Sequence, residues 1–112
     1  MSLDNVVQPG PRFAVAIDRT PGGVTVSVIG EIDIDSAARL EDTLSDLLER
    51  GDARITLHLA GVSFVDSVGV SVLVTAAERA ERAGGRLQLR EPSSAVRKML
   101  EARGLETRFP VV

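Results

Sequence analysis

Apolar positions along the chain change period several times, and each change marks an element. Phe13, Val15 and Ile17 alternate with other residues, Thr20-Pro21-Gly22-Gly23 follows, and Val24, Val26 and Val28 then alternate with Thr25 and Ser27. Alternation on both sides of a Pro-Gly turn predicts a β-hairpin. After Gly30 the period lengthens. Leu40, Leu44, Leu47 and Leu48 fall at i, i+4, i+7 and i+8, which predicts a helix capped by Asp35 or Ser36 and stopped by Gly51. Ile55, Leu57 and Leu59 return to period two, as do Leu87 and Leu89 around Gln88, giving a third and a fourth strand. Beyond Pro92 a last helix is expected, with Ser93 or Ser94 as cap, Val96, Met99 and Leu100 as its apolar stripe and Gly104 as its stop; Phe109 to Val112 would add a short final strand.

One segment fits both periods. Val68, Val70, Val72 and Val74 alternate like a strand, and valine favours strands. Yet Val70, Leu73, Val74, Ala77 and Ala80 also form a helical stripe, and the run Ala76 to Arg82 is strongly helix-forming and unbroken until Gly84-Gly85. A single helix from about Ser67 to Ala83 accounts for both halves. The resulting order, β-β-α-β-α-β-α with a possible last strand, predicts a single α/β domain. Strands separated by whole helices pair in parallel through right-handed crossovers, so the sheet should be mixed, mostly parallel and four- to five-stranded, with only the first hairpin antiparallel. Thr25, Ser27, Thr56, His58 and Gln88 lie opposite the apolar rows, which places the helices mainly on one face and leaves the other face wetter. Pro9-Gly10-Pro11 suits neither ladder nor helix, so residues 1–11 are expected to be a flexible lead-in and residues 12–112 the domain.

Composition narrows the chemistry. The absence of cysteine excludes a disulfide scaffold, a zinc ribbon and a thiol nucleophile, and suits a reducing compartment. A net charge of -3 supplies no positive field for nucleic acid, and 3% aromatic residues leave no stacking platform for bases or sugars. No apolar run approaches the roughly twenty residues that span a bilayer, and no secretory segment opens the chain, so a cytoplasmic protein without membrane insertion is expected. There is no phosphate-binding glycine loop and no His-Glu-x-x-His pair. The single histidine, His58, reads as a polar residue on the open sheet face rather than a catalytic base. No catalytic activity, metal or cofactor is expected.

What stands out is the run Val62-Ser63-Phe64-Val65-Asp66-Ser67-Val68-Gly69-Val70-Ser71 between the third strand and the second helix. Asp66 is the only charged residue from Gly61 through Ala77, at the carboxyl end of a parallel strand where α/β folds build their sites. Gly30-Glu31-Ile32-Asp33 leaves the neighbouring strand at the same end, so the two segments would form one acidic, hydroxyl-bearing patch. Two accounts compete. Asp66 and Ser67 can be helix caps, Gly69 a close-packing residue, and Glu31 and Asp33 a solvated turn. Alternatively Ser67 is a modification site, since a phosphate there would meet the positive end of a helix dipole and leave the fold intact, while a docked partner would have to desolvate or repel about two added charges.

The segments Gly30 to Asp33, Leu57 to Gly69, and Pro92 to Arg97 followed by Gly104-Leu105 closely resemble STAS domains, in particular bacterial anti-sigma factor antagonists, over about residues 12–112. The resemblance implies a phospho-switched binding module. Its unmodified form would bind an anti-sigma factor that is also a serine kinase and so free a sigma factor; phosphorylation of Ser67 would release that partner, and a PP2C-type phosphatase would reverse the change. Glu31, Asp33, Ile34, Asp66, Val68, Gly69, Val70 and Ser71 would contribute to the surface the kinase reads, and ATP would belong to the kinase. Two residues depart from the pattern. Val68 replaces the usual Ser or Thr after the acceptor, which makes Ser67 the only acceptor in the motif's core, and His58 stands where Asp or Asn is common. Two other roles fit the same resemblance: a cytoplasmic regulator of an anion or lipid transporter, and a small-ligand or nucleotide sensor.

Overall fold

The computed structural model describes residues 12–112, so the expected lead-in lies outside the described residues. β1 (Phe13–Thr20) and β2 (Gly23–Ile32) form the antiparallel hairpin, in register from Phe13 opposite Gly30 to Thr20 opposite Gly23 around the two-residue turn Pro21-Gly22. α1 (Ile34–Glu49), β3 (Arg54–Val65), α2 (Ser67–Arg82), β4 (Arg86–Arg90) and α3 (Ser94–Ala102) follow. The sheet order is β1-β2-β3-β4, with β2, β3 and β4 mutually parallel.

One apolar layer holds these elements together. Val24, Val26 and Val28 of β2, Ile55, Leu57 and Leu59 of β3, and Leu87 and Leu89 of β4 share a single buried cluster with Leu40, Leu44 and Leu47 of α1, Leu73 and Ala77 of α2, and Val96 and Leu100 of α3. All three helices therefore cover the same sheet face. Burying a Leu or Val side chain contributes roughly 1.5–3 kcal/mol, which sets the order of magnitude for each position in this layer. On the other face Thr25, Ser27, His58 and Gln88 are half-exposed, whereas Thr56 is only 9% exposed because Gln88 reaches across it, its Nε2 donating to Thr56 Oγ1 at 2.9 Å.

The valine-rich segment is helical, as the stripe predicts. Leu73, Ala77 and Ala80 are fully buried and Val68 turns outward, an arrangement that a strand of the same residues could not give. Burial of a helical face outweighs the intrinsic preference of valine for strands.

Three local expectations need correction. The cap of α1 is Asp33, not Asp35 or Ser36. Asp33 leaves β2 in an extended conformation; its carboxylate accepts from the Asp35 and Ser36 amides, while Ser36 Oγ accepts from Asp33 N at 2.8 Å. This is a capping box with serine in place of the usual Glu or Gln. Next, β3 does not stop near Leu59 before a loop but runs to Val65. Its register against β2 slips twice, between Ser27 and Ile29 and between Gly30 and Glu31, each time inserting an extra residue into β3. These bulges break the alternation, so Leu59, Val62 and Val65 all face inward at spacings of three. Finally, the carboxyl end forms only an isolated parallel bridge between Leu89 and Val111 instead of a strand. Pro110 accepts from Leu89 N but has no N–H to extend the ladder.

Candidate functional site

β2 and β3 deliver their last residues to one place. Ile32 pairs with Val65, Asp66 N donates to Ile32 O at 3.1 Å, and each strand passes into its helix through one residue, Asp33 or Asp66. Both linkers are aspartates, and both cap the helix that follows. Sequence and geometry agree on why: a single extended residue must both leave the sheet and satisfy free amides of the first turn, and a short carboxylate does so.

Asp66 Oδ1 accepts from Gly69 N at 2.9 Å, an interaction worth about 1 kcal/mol. Ser67 is the first residue of the sixteen-residue α2, is exposed, and its hydroxyl has no hydrogen-bond partner among the described residues. Ser71 is exposed too, but its hydroxyl donates to Ser67 O at 3.0 Å. Gly69 is buried. A Cβ there would lie 2.7 Å from Ile32 Cγ2 and 2.8 Å from Val65 Cγ2, so its bare backbone lets α2 sit against the strand ends.

Ile34 and Val68 are exposed by 65% and 42%, and with Ser71 they line a shallow groove between α1 and α2. Val70 faces the core at 2% exposure, so neither it nor Gly69 offers a side chain to a docking partner, contrary to the sequence expectation. Glu31 is half-buried, its amide held by Arg12 O at 2.7 Å. Phe64 pairs with Glu31 across the sheet and is 46% exposed. Sequence reasoning missed Phe64 as a site residue. The two bulges hide its orientation; the available signal was an aromatic side chain in a segment otherwise built of small and aliphatic residues.

Hydrogen bonds hold the Asp33 carboxyl below the ordinary aspartate range, chiefly the Ser36 amide, then the Ser36 hydroxyl; desolvation opposes them, and the Asp35 amide adds a lesser lowering. A carboxylate whose pKa is lower in the folded than in the unfolded chain stabilises the fold above its unfolded pKa, and that contribution disappears as pH falls through the folded value. Asp33→Ala is therefore expected to lower the Tm at neutral pH and to remove one step of acid destabilisation below about pH 4. Thermal melts of both proteins between neutral and acid pH check this; parallel curves for the two would contradict it. His58 lies away from this site on the open sheet face, its Nε2 3.3 Å from Glu91 Oε1.

A family model described as Mlab, STAS domain matches residues 15–112. The chain belongs to the STAS family. Among relatives of this STAS domain, the anti-sigma-B factor antagonist of Bacillus subtilis is 32% identical over 82% of this chain and 84% of its own length. The anti-sigma F factor antagonist of Lysinibacillus sphaericus is 30% identical over 73% of this chain and 71% of its own. Among solved structures, the crystal structure of an anti-sigma factor antagonist from Mycobacterium paratuberculosis superposes with a TM-score of 0.80 at 26% identity, covering 93% of this STAS domain and 89% of that chain.

Proposed function

We propose that this STAS domain is an anti-sigma factor antagonist whose docking is switched by phosphorylation of Ser67. The observation that carries the reading is an exposed hydroxyl, unbonded among the described residues, at the first turn of α2, next to Asp66 and exposed Val68, at the paired strand ends that also carry Phe64, Glu31, Asp33 and exposed Ile34. The names of the relatives support the class of partner. Apolar side chains around a small polar centre suit a protein interface, with the apolar residues supplying contact area and the carboxylates its polar rim.

In the proposed cycle the unmodified domain docks through this surface onto an anti-sigma factor with serine kinase activity, and the sigma factor is freed. Ser67 Oγ then attacks the γ-phosphorus of ATP bound to the kinase. The new O–P bond forms as the bond between the β–γ bridging oxygen and the γ-phosphorus breaks, ADP leaves, and the hydroxyl proton passes to a base of the kinase. The phosphoserine carries about two negative charges where three carboxylates already stand, and the complex separates. A PP2C-type phosphatase hydrolyses the ester and restores the hydroxyl. ATP supply places the cycle in the cytoplasm. Among the described residues no helix is long and apolar enough to cross a membrane.

Intact-mass measurement after incubation with the cognate kinase and ATP tests the assignment. One phosphate mapped to Ser67 and lost from Ser67→Ala is the expected result. A phosphate on Ser71 or Ser63, or its persistence in Ser67→Ala, would overturn it.

A further inference from the structure

We propose that the open face of the sheet, at the end opposite Ser67, binds a small hydroxylated organic phosphate. Parallel pairing sets Arg54 beside Arg86, Thr56 beside Gln88 and His58 beside Arg90, and strand alternation turns all six away from the helices. Like charges directly opposite one another destabilise a sheet, so Arg54 and Arg86 as neighbours call for a compensating anion. Neither they nor Arg90 has a carboxylate within ion-pairing distance among the described residues, whereas Arg19, Arg50 and Arg108 each do. The chain's net charge is -3, so general basicity does not explain the cluster.

These arginines border an open trough of about 720 Å³ that Asp18, Thr25, Thr56 and Gln88 also line. That volume lies within the range of small-molecule sites, roughly 300–1,000 Å³. The floor is built for hydroxyl groups. Thr25 offers a hydroxyl, Asp18 offers an acceptor, and Gln88, whose Nε2 already bonds the buried Thr56 hydroxyl, has an amide oxygen with no donor among the described residues. Guanidinium forks match phosphate oxygens in pairs, which suits the Arg54–Arg86 rim. No aromatic side chain lines the trough, and its hydroxyl and carboxylate groups beside paired guanidiniums suit a sugar phosphate.

Titration of the ¹⁵N-labelled full chain with ribose 5-phosphate, with ribose and inorganic phosphate as separate arms, tests the proposal. Saturable amide shifts centred on Thr56, Arg86 and Gln88 are expected with ribose 5-phosphate, weaker ones with phosphate, and none with ribose. The double variant Arg54→Ala/Arg86→Ala should bind at least about tenfold more weakly, as loss of paired guanidinium contacts to an anion requires. Both side chains are exposed, and circular dichroism verifies the fold; should that variant unfold, Arg90→Glu is measured in its place with the same expectation. Absence of saturation up to about 10 mM ligand, an affinity unchanged by the substitutions, or shifts centred elsewhere overturns the site. Equal affinity for phosphate and ribose 5-phosphate overturns the assignment of hydroxyl contacts.

Discussion

Ser67→Asp is expected to bind the anti-sigma factor kinase at least about tenfold more weakly than the unmodified domain, while Ser67→Ala binds normally and is never released. The asymmetry follows from where the charge falls. On the free domain, a carboxylate at the first residue of α2 faces the positive end of the helix dipole, which favours it by about 0.3–1 kcal/mol, so the Tm should hold within a few degrees. In the complex that charge must be desolvated beside Asp66; the segment Gly61–Ala77 holds no Arg or Lys, and Arg12 already stands 4.0 Å from Glu31. Calorimetric titration of wild type, Ser67→Asp and Ser67→Ala against the kinase, with melting curves for each, separates loss of docking from loss of fold. Indistinguishable affinities for the Asp and Ala variants would remove Ser67 from the switch.

The largest loss of stability is expected at Gly30→Ala, about 3 kcal/mol or more, or a fall in Tm of more than about 10 °C. Gly30 has φ +103°, a conformation that strains any residue with a Cβ, and the added carbon would collide with the Arg12 carbonyl. That carbonyl accepts the Glu31 amide at 2.7 Å, so relieving the clash also loosens the chain at Glu31, next to the proposed docking surface. Gly61→Ala serves as the control. Its Cβ would come nearest to Ile29 Cγ1, at 3.1 Å, with Ile29 Cα and Cβ at an ordinary 3.5 Å, and the Ile29 side chain is half-exposed and able to give way, so a cost below about 1 kcal/mol is expected. Denaturant melts of the two variants check the contrast; similar losses at both positions would refute it.

The fold was largely legible because the patterns on separate elements agreed with one another. Polar residues at Thr25, Ser27, Thr56, His58 and Gln88 implied a sheet covered on one face, and the sequential order of strands implied helices on that same side. The valine run shows how a local preference is overruled: as a helix it sends Val70, Leu73 and Ala77 into the core together with Val72 and leaves Val68 outside, a division that strict alternation cannot give. What could not be read was whatever depends on register. The two bulges in β3 change which way residues 60–65 face, and no composition rule announces them, so the strand looked six residues shorter and Phe64 gave no sign of reaching the surface. The same limit applies at the site. Asp66 and Ser67 were identified from their place before a helix, but the burial of Val70 and Gly69 follows from how α2 leans on Ile32 and Val65, a tertiary fact.

The two single-residue linkers have a consequence for timing. With Asp33 and Asp66 each tied to its own helix and Asp66 N bonded to Ile32 O, the chain keeps no slack near Ser67 that could refold around a new group. Under the proposed switch, a phosphate on Ser67 would be displayed at once, so the pace of the response would belong to the proposed kinase and phosphatase.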